Sequence, residues 1–172
     1  MTTIRELGPA DAPAFQALRL QGLAECPSAF ASSREEEEAT PIDVVGERLR
    51  SRSDRCVIGA FVESRLVGIV GVYQQSPRKL AHKAFIWGMY VEPAARKSGT
   101  GRALMAEALA RASKMTGVRQ VNLGVNATNA EAIALYQRAG FTPFGLERGF
   151  MLLEGVLHDE LHMACVLPPA AR

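Results

Sequence analysis

Hydrophobic residues recur along the chain at two spacings, which separate predicted helices from predicted strands. Phe15, Leu18 and Leu23 lie at helical spacing, whereas segments 56–62 and 66–74 are continuous apolar runs of strand length. The predicted strands are 3–7, 56–62, 66–74, 81–91, 118–125, 141–153 and 157–167, and the predicted helices are one starting after Asp11, then 40–50, 99–115 and 129–139. Because several strands follow one another directly, this order predicts an α+β fold with mostly antiparallel pairing.

Turn and cap residues place the ends of these elements. Asp11 is a predicted N-cap, and Thr40 followed by Pro41 predicts the start of the second helix. Segment 27–40, which holds the acidic run Glu35–Glu38, is predicted to be a loop. Gly88 inside a strand predicts a bulge or a close approach of another backbone.

The composition indicates a single domain over residues 1–172. Of the 172 residues, 48% are hydrophobic and 22% are charged, with a net charge of +2. So small a surplus argues against a nucleic-acid partner, and the longest apolar run, 66–73, is too short to cross a bilayer. The three cysteines lie far apart without a metal or disulfide pattern, so we expect a cytoplasmic protein with free thiols. We expect frayed ends at 1–3 and 168–172.

The segment from Val91 to Leu104 carries the strongest chemical signal. A strand ends, the string Arg96-Lys97-Ser98-Gly99-Thr100-Gly101 makes the turn, and a helix begins. Because the first N–H groups of a helix lack internal partners and the helix dipole is positive there, this turn favours an anion such as a diphosphate. It is neither a Walker loop nor a dinucleotide fingerprint, which needs glycine where Leu104 stands. An ordinary strand-to-helix turn with a solvated basic face is the alternative.

A second string lies in the predicted helix 129–139. It has the form Asn129-x-x-Ala132-x-x-Leu135-Tyr136-x-x-x-Gly140-Phe141. With the Arg-x-x-Gly-x-Gly loop before it, this string resembles the GCN5-related N-acetyltransferase (GNAT) superfamily. The resemblance is close over 81–141 and looser over the amino-terminal two-helix region and 156–163. The resemblance implies a twisted mixed sheet of about seven strands flanked by four helices, with the fourth and fifth strands, 81–91 and 118–125, splayed apart.

The resemblance also implies a reaction, the transfer of acetyl from acetyl-CoA to an amine without a metal. The coenzyme-binding residues that it implies are Met89, Tyr90, Val91, Arg96, Lys97, Ser98, Gly99, Thr100, Gly101, Arg102 and Asn129. Backbone groups of Met89 and Val91 are expected to bond the pantetheine arm. Tyr136 is the expected acid that protonates the departing coenzyme A thiolate, with a buried core aromatic as the alternative. Asn129 is expected to cap its helix as well as to contact the coenzyme or an ordered water.

The resemblance leaves the general base open. The fourth strand offers no acid before Glu92, which is either a base or a solvated residue. Other candidates are Glu35–Glu38, His158, Asp159 and His162, and a water relay is the alternative. On a strand, His158 and His162 would stand about 13 Å apart, too far for one metal.

The acceptor is expected to be a small cationic or hydrophobic primary amine, with a protein or peptide amine as the alternative. The residues expected to bind it are Phe30, Glu35, Glu36, Trp87 and His158. Direct transfer in a ternary complex, by a monomer or a homodimer, is the preferred hypothesis. A non-catalytic acyl-CoA-binding module and a nucleotide-phosphate binder are the competing ones.

Overall fold

Seven strands form one mixed sheet in the computed structural model, which describes residues 1–168. The strands are β1 (Thr2–Glu6), β2 (Arg55–Val62), β3 (Arg65–Gln74), β4 (Lys83–Val91), β5 (Gln120–Asn126), β6 (Thr142–Leu153) and β7 (Val156–Val166), and the helices are α1 (Ala12–Glu25), α2 (Arg34–Glu38), α3 (Ile42–Leu49), α4 (Thr100–Lys114) and α5 (Ala130–Arg138). The strand order is β1-β2-β3-β4-β5-β7-β6, and only β4 and β5 pair in parallel. The predicted α+β fold is confirmed.

The sheet separates two hydrophobic cores. On one face, Leu104 and Met105 of α4 pack with Val70 and other buried residues of the sheet. On the other face, Phe15 of α1 and Val45 of α3 pack with buried side chains of β2 to β4. Because β2 and β3 are covered on both faces, their sequences are continuous apolar runs rather than alternating ones.

β4 and β5 pair only at one end and then diverge. Lys83–Phe85 lies beside Gln120–Asn122, and no further register follows, so the expected splay is confirmed. Beyond it, β4 contains the predicted bulge. The register with β3 passes from Gly71↔Trp87 to Ile69↔Tyr90, and Gly88 adopts a left-handed φ of 64°.

Several predicted ends are wrong. The acidic run is helix α2 rather than a loop, because the Ser33 hydroxyl and the Glu36 carboxylate form a reciprocal capping box around its first turn. Thr40 does not cap α3, since its hydroxyl donates to the Glu36 carbonyl. Asp11 precedes α1 without capping it, and its carboxylate instead accepts from the Gly8 amide and pairs with Arg5.

The chain ends and the sheet edge complete the fold. The fraying expected at residues 1–3 is wrong, because Thr2 and Thr3 pair with β2; the tail at 169–172 lies outside the described residues. The edge hairpin β6–β7 exposes large apolar side chains, among them Phe144, Leu152 and Leu157. Among the helices described, none is long and apolar enough to span a membrane.

Candidate active site

The turn between β4 and α4 presents a row of free backbone donors. The N–H groups of residues 97–102, called the amide nest below, have no hydrogen-bond acceptor within residues 1–168. Lys97 and Gly99 have left-handed φ values of 61° and 87°. Such alternation turns neighbouring N–H groups toward one point, and the dipole of α4 adds positive potential there. The nest therefore suits a phosphate-bearing ligand.

The side chains of this turn divide into two groups. The Ser98 hydroxyl bonds to the Ala95 carbonyl and lies 2.8 Å from the Thr100 hydroxyl, which shapes the turn. Lys97 and Arg102 are exposed and make no ion pair with any described residue, so their charges remain available to a ligand.

Arg96 is bound to the protein rather than directed at the nest. Its Nε donates to the Val91 carbonyl at 2.9 Å, its Nη2 pairs with Glu25, and its guanidinium lies over the Tyr90 ring. Arg96 therefore fastens the turn to α1, and the Val91 carbonyl expected to be free for pantetheine is already used.

Tyr90 is held in the same way. Its ring packs on α1 at Gly22, where an added Cβ would stand 3.0 Å from the ring, and its hydroxyl donates to the Glu25 carboxylate at 2.6 Å. The hydrogen bonds from Tyr90 and Arg96 lower the pKa of Glu25, although burial opposes them. Only the backbone of Tyr90 is left to face the gap between the splayed strands.

Met89 is the strand residue most open to that gap. It lies in the bulge, where no residue of β3 pairs with it, and the pairing of β4 with β5 has already ended at Phe85. Its Cε lies 3.5 Å from the position that a Cβ on Gly101 would take, and that position is equally close to Leu135 of α5. The start of α4 therefore packs within ordinary contact distance of both β4 and α5.

Tyr136 lies on α5 with its ring buried and packed edge-on against Phe141. Its hydroxyl has no hydrogen-bond partner among residues 1–168. It is not among the fully buried unpartnered atoms, of which Arg19 Nη1 is the one found there, so the hydroxyl reaches accessible space. Burial raises the pKa of Tyr136 to about 12, which keeps the phenol a neutral proton donor near pH 7.

Asn129 caps α5 as predicted. Its Oδ1 accepts from the Ala132 amide at 3.1 Å. Its Nδ2 makes no bond to a described residue and remains available to a ligand.

Glu92 is neither solvated nor placed to act as a base. Its side chain is buried, and both of its oxygens accept from the Arg65 guanidinium, at 2.5 and 2.6 Å. A carboxylate held in this bidentate pair fixes the end of β4 to the start of β3.

Glu160, which the sequence reasoning missed as a candidate, is a partly buried carboxylate beside β5 and the segment 28–31. It projects from β7 over Gly124 of β5, where an added Cβ would overlap the carboxylate. Burial raises the pKa of Glu160, and Glu147 adds to the rise while His162 opposes it. The sequence did hold a signal for this pair. Gly124 is a glycine on the fifth strand, and it pairs with His162, two residues after Glu160 on the last strand.

A cavity of about 20 Å³, room for one water, adjoins this carboxylate. Ser28, Asn126 and His158 line it together with Glu160. The His158 Nδ1 lies 3.5 Å from the Asn126 amide nitrogen. His162 lies between Glu147 and Glu160, at 3.2 and 3.6 Å, and stacks on Phe144.

The predicted acceptor residues of α2 point outward. Glu35 and Glu36 are exposed, and Glu36 is engaged in the capping box. Glu37, a general-base candidate as a member of the run, turns inward and is buried between two arginines. The acidic surface of α2 therefore faces outward, while its inward side carries one carboxylate paired with two arginines.

Trp87 and Phe30 lie around Arg19, with ring centroids 5.6 and 5.5 Å from its guanidinium carbon. Trp87 also covers Gly71 on the neighbouring strand. Beside Trp87 opens a cleft of about 530 Å³, large enough for a small-molecule acceptor. Within residues 1–168 no group of three or more His, Cys, Asp or Glu side chains is arranged to bind a metal ion.

An anion-binding nest, splayed parallel strands and a tyrosine on the following helix lie together in this chain. The model of the Acetyltransferase (GNAT) family matches residues 20–141, more than half of the chain. The chain belongs to the GNAT family. It is thus an N-acetyltransferase, and the resemblance noted in its sequence is confirmed.

Three relatives show how far this likeness extends. The L-amino acid N-acetyltransferase AaaT of Escherichia coli (strain K12) is 31% identical over 121 residues, 70% of this chain and 74% of AaaT. YncA of Salmonella typhimurium, solved with its cofactor acetyl-CoA, superposes with a TM-score of 0.85 at 20% identity, covering 100% of this chain and 97% of YncA. The ribosomal-protein-alanine N-acetyltransferase of Brucella melitensis gives a TM-score of 0.79 at 26% identity, covering 96% and 99%.

Proposed function

We propose that this GNAT protein moves an acetyl group from acetyl-CoA to the primary amine of a small molecule, by direct transfer in a ternary complex. The observation that carries this proposal is the amide nest of residues 97–102, which follows the end of β4 that has diverged from β5. The acetyl-CoA in the Salmonella YncA structure supports the choice of donor.

The amide nest and the gap between β4 and β5 bind different parts of acetyl-CoA. The free amides and the charges of Lys97 and Arg102 hold the diphosphate. The unpaired edge of β4 at Met89 bonds the pantetheine arm as a further strand would, and Asn129 Nδ2 contacts it from the start of α5. The thioester then lies at the bulge, where backbone N–H groups stabilise charge on the carbonyl oxygen.

Transfer then needs one base and one acid. The amine must lose a proton to have a free electron pair, and that proton goes to Glu160, directly or through a water in the adjoining cavity. The amine nitrogen attacks the carbonyl carbon and forms the C–N bond, and the nitrogen then loses its second proton to water. The carbonyl re-forms as the C–S bond breaks, the departing thiolate takes a proton from the Tyr136 hydroxyl, and water returns a proton to the tyrosinate.

The acceptor is assigned from the shape of the site. A concave cleft of about 530 Å³ beside Trp87 fits a small molecule, and AaaT is by name an L-amino acid N-acetyltransferase. The second candidate is a protein or peptide amine, favoured by the Brucella relative named for a ribosomal protein. A cytoplasmic location and the choice between monomer and homodimer also stay proposals.

Thiol release from acetyl-CoA with a panel of amines and amino-terminal peptides tests the proposal. We expect Tyr136→Phe to lower kcat by about 100-fold or more, with the acetyl-CoA Kd and the Tm unchanged, because the ring and its contact with Phe141 stay. Rate and affinity falling together would make Tyr136 a packing residue.

Binding of acetyl-CoA without turnover on any amine would instead indicate a non-catalytic module. Displacement of coenzyme A by ATP or NAD at comparable concentration would indicate a nucleotide-phosphate binder. Both outcomes contradict the proposed reaction.

A further inference from the structure

A cluster of charged side chains lies between α1, α2 and α3, next to the bulge of β4. Glu37 is buried, and its carboxylate accepts from Arg19 Nε at 3.0 Å and from Arg48 Nη1 at 3.0 and 3.1 Å. Two guanidinium groups therefore surround one carboxylate, which leaves one positive charge unbalanced at the wall of the cleft.

Arg19 is the more buried of the two arginines, and it contributes most of this excess positive charge. The residue is only 6% exposed, and its Nη1 is fully buried with no hydrogen-bond partner in residues 1–168. Its Nη2 makes one long bond, 3.4 Å to the Ser32 hydroxyl. A buried donor without an acceptor destabilises the fold, so native proteins rarely keep one without a use for it.

The bonds of the guanidinium also show which edge is free. Glu37 occupies Nε, so the Nη1–Nη2 edge is left with the weak Ser32 contact alone. That edge presents two parallel N–H groups, the geometry that binds a carboxylate in bidentate fashion. The Phe30 and Trp87 rings nearby hold the cation by their π faces but supply no acceptor for these hydrogens.

The free edge lies close to the expected reaction centre. An added Cβ on Gly88 would stand 3.2 Å from Arg19 Nη1, and Gly88 is the residue before Met89, about 3.8 Å along the chain. Arg19 and Trp87 both line the cleft, and because Nη1 is fully buried, a bound molecule reaches it when a side chain of the cleft wall shifts.

We infer that the acceptor carries an anionic group close to its amine, a carboxylate as in an α-amino acid, and that Arg19 binds that group. This inference rests on the proposed acetyl transfer. The inference disfavours the cationic acceptor that the acidic run suggested. The surface of the cluster around Glu37 has more arginines than carboxylates, and it would repel a cation.

Matched acceptors test the inference on the unaltered protein. Each L-amino acid of a panel is compared with its carboxamide and with its decarboxylated amine, by thiol release and by calorimetry with coenzyme A present. We expect the kcat/KM or the affinity of each free acid to be about 10–100-fold higher than that of its carboxamide, because a charge-assisted hydrogen-bonded pair contributes a factor of that size. Equal values for acids and amides overturn the inference, while acetylation of the amides leaves the proposed function intact.

Substitutions assign the preference to Arg19. We expect Arg19→Met to bring the ratio of acid to amide within threefold of unity and Arg19→Lys to restore part of it. Arg48→Met is the matched control, since it removes the other guanidinium from Glu37 and leaves Arg19 in place; its ratio should change less than threefold. A preference that survives Arg19→Met overturns the assignment. If no amine is turned over, the proposed function fails, and the calorimetric ratio still decides whether Arg19 binds carboxylates.

Discussion

Gly88 combines two requirements at one position of β4. Its φ of 64° is left-handed, which creates the bulge, and the space where a side chain would stand faces Arg19 Nη1. A glycine inside an apolar strand predicts the bulge from sequence. The neighbour cannot be predicted in that way, because Arg19 belongs to a helix far earlier in the chain.

Replacing Gly88 and a second left-handed glycine distinguishes the strain in the backbone from the effect on the contact with Arg19. We expect Gly88→Ala and Gly117→Ala each to lose about 1–2 kcal/mol of unfolding free energy, because both glycines have a left-handed φ. No atom lies within 4 Å of a Cβ at Gly117, so only Gly88→Ala should also lower kcat/KM, by about tenfold. Urea unfolding and thiol-release kinetics measure the two effects. Equal activity in the two variants would contradict a role for the bulge in the reaction.

Glu160 gives an expectation for pH. Burial raises the pKa of its carboxyl, so the acidic limb of kcat/KM should lie above the usual range of a glutamate. Glu160→Gln should remove that limb and lower kcat/KM by about 100-fold or more. Glu147→Gln, on the exposed side of His162, is the matched control and should keep the limb. An unchanged profile in Glu160→Gln would favour a water relay.

The same shift has a consequence for stability. A carboxyl whose pKa is raised by folding binds protons more readily in the native state, so its contribution to stability falls as the pH rises through the native pKa. Glu160→Gln should therefore be at least as stable as the original protein at pH 7 in urea unfolding. A clear loss of stability would mean that the charged form is held favourably.

At the scale of elements, α2 shows what a local pattern can and cannot predict. Ser33 and Glu36 have the spacing of a capping box, so a short helix was readable in the sequence. Five residues are too few to form a stable helix alone, and contacts with Arg19 and Arg48 fix it in place. Which glutamate turns inward follows from that packing and not from the acidic run.

The β4–α4 turn can be tested as a unit through Gly99. An alanine there should disturb the left-handed φ of 87° and raise the acetyl-CoA Kd about tenfold, because the amide nest loses its alignment. Gly155→Ala in the β6–β7 turn is the matched control, since its φ is 79° and its surroundings are equally open. Isothermal calorimetry gives the Kd, and equal affinities in the two variants would remove the nest from coenzyme binding.

Over the whole molecule, the sequence predicts what depends on neighbours along the chain. Local patterns identify the order of the strands along the chain, the β4–α4 turn, the Asn129 cap and the Gly88 bulge, because each is set within a few residues. Glu160 over Gly124 and Arg19 against Gly88 depend on packing between distant segments. Those pairs could not be predicted, because periodicity shows which face a residue takes and not what lies opposite.

Glu25 joins three parts of the fold, since its carboxylate on α1 binds Tyr90 of β4 and Arg96 of the β4–α4 turn. Folding lowers the pKa of Glu25 through these bonds, and Arg5 does the same for Asp11. Each carboxylate therefore stabilises the protein above its unfolded pKa, and that stability is lost as the pH falls through its folded pKa.

Glu25→Gln and Asp11→Asn should each cost about 1 kcal/mol of unfolding free energy at pH 7 and less at pH 4, measured by urea unfolding. Only Glu25→Gln should also weaken acetyl-CoA binding in calorimetry, by about threefold or more, because Asp11 does not contact the turn that Arg96 fastens. If Glu25→Gln binds acetyl-CoA as tightly as Asp11→Asn does, the turn holds its shape without α1, and the amide nest alone determines the affinity.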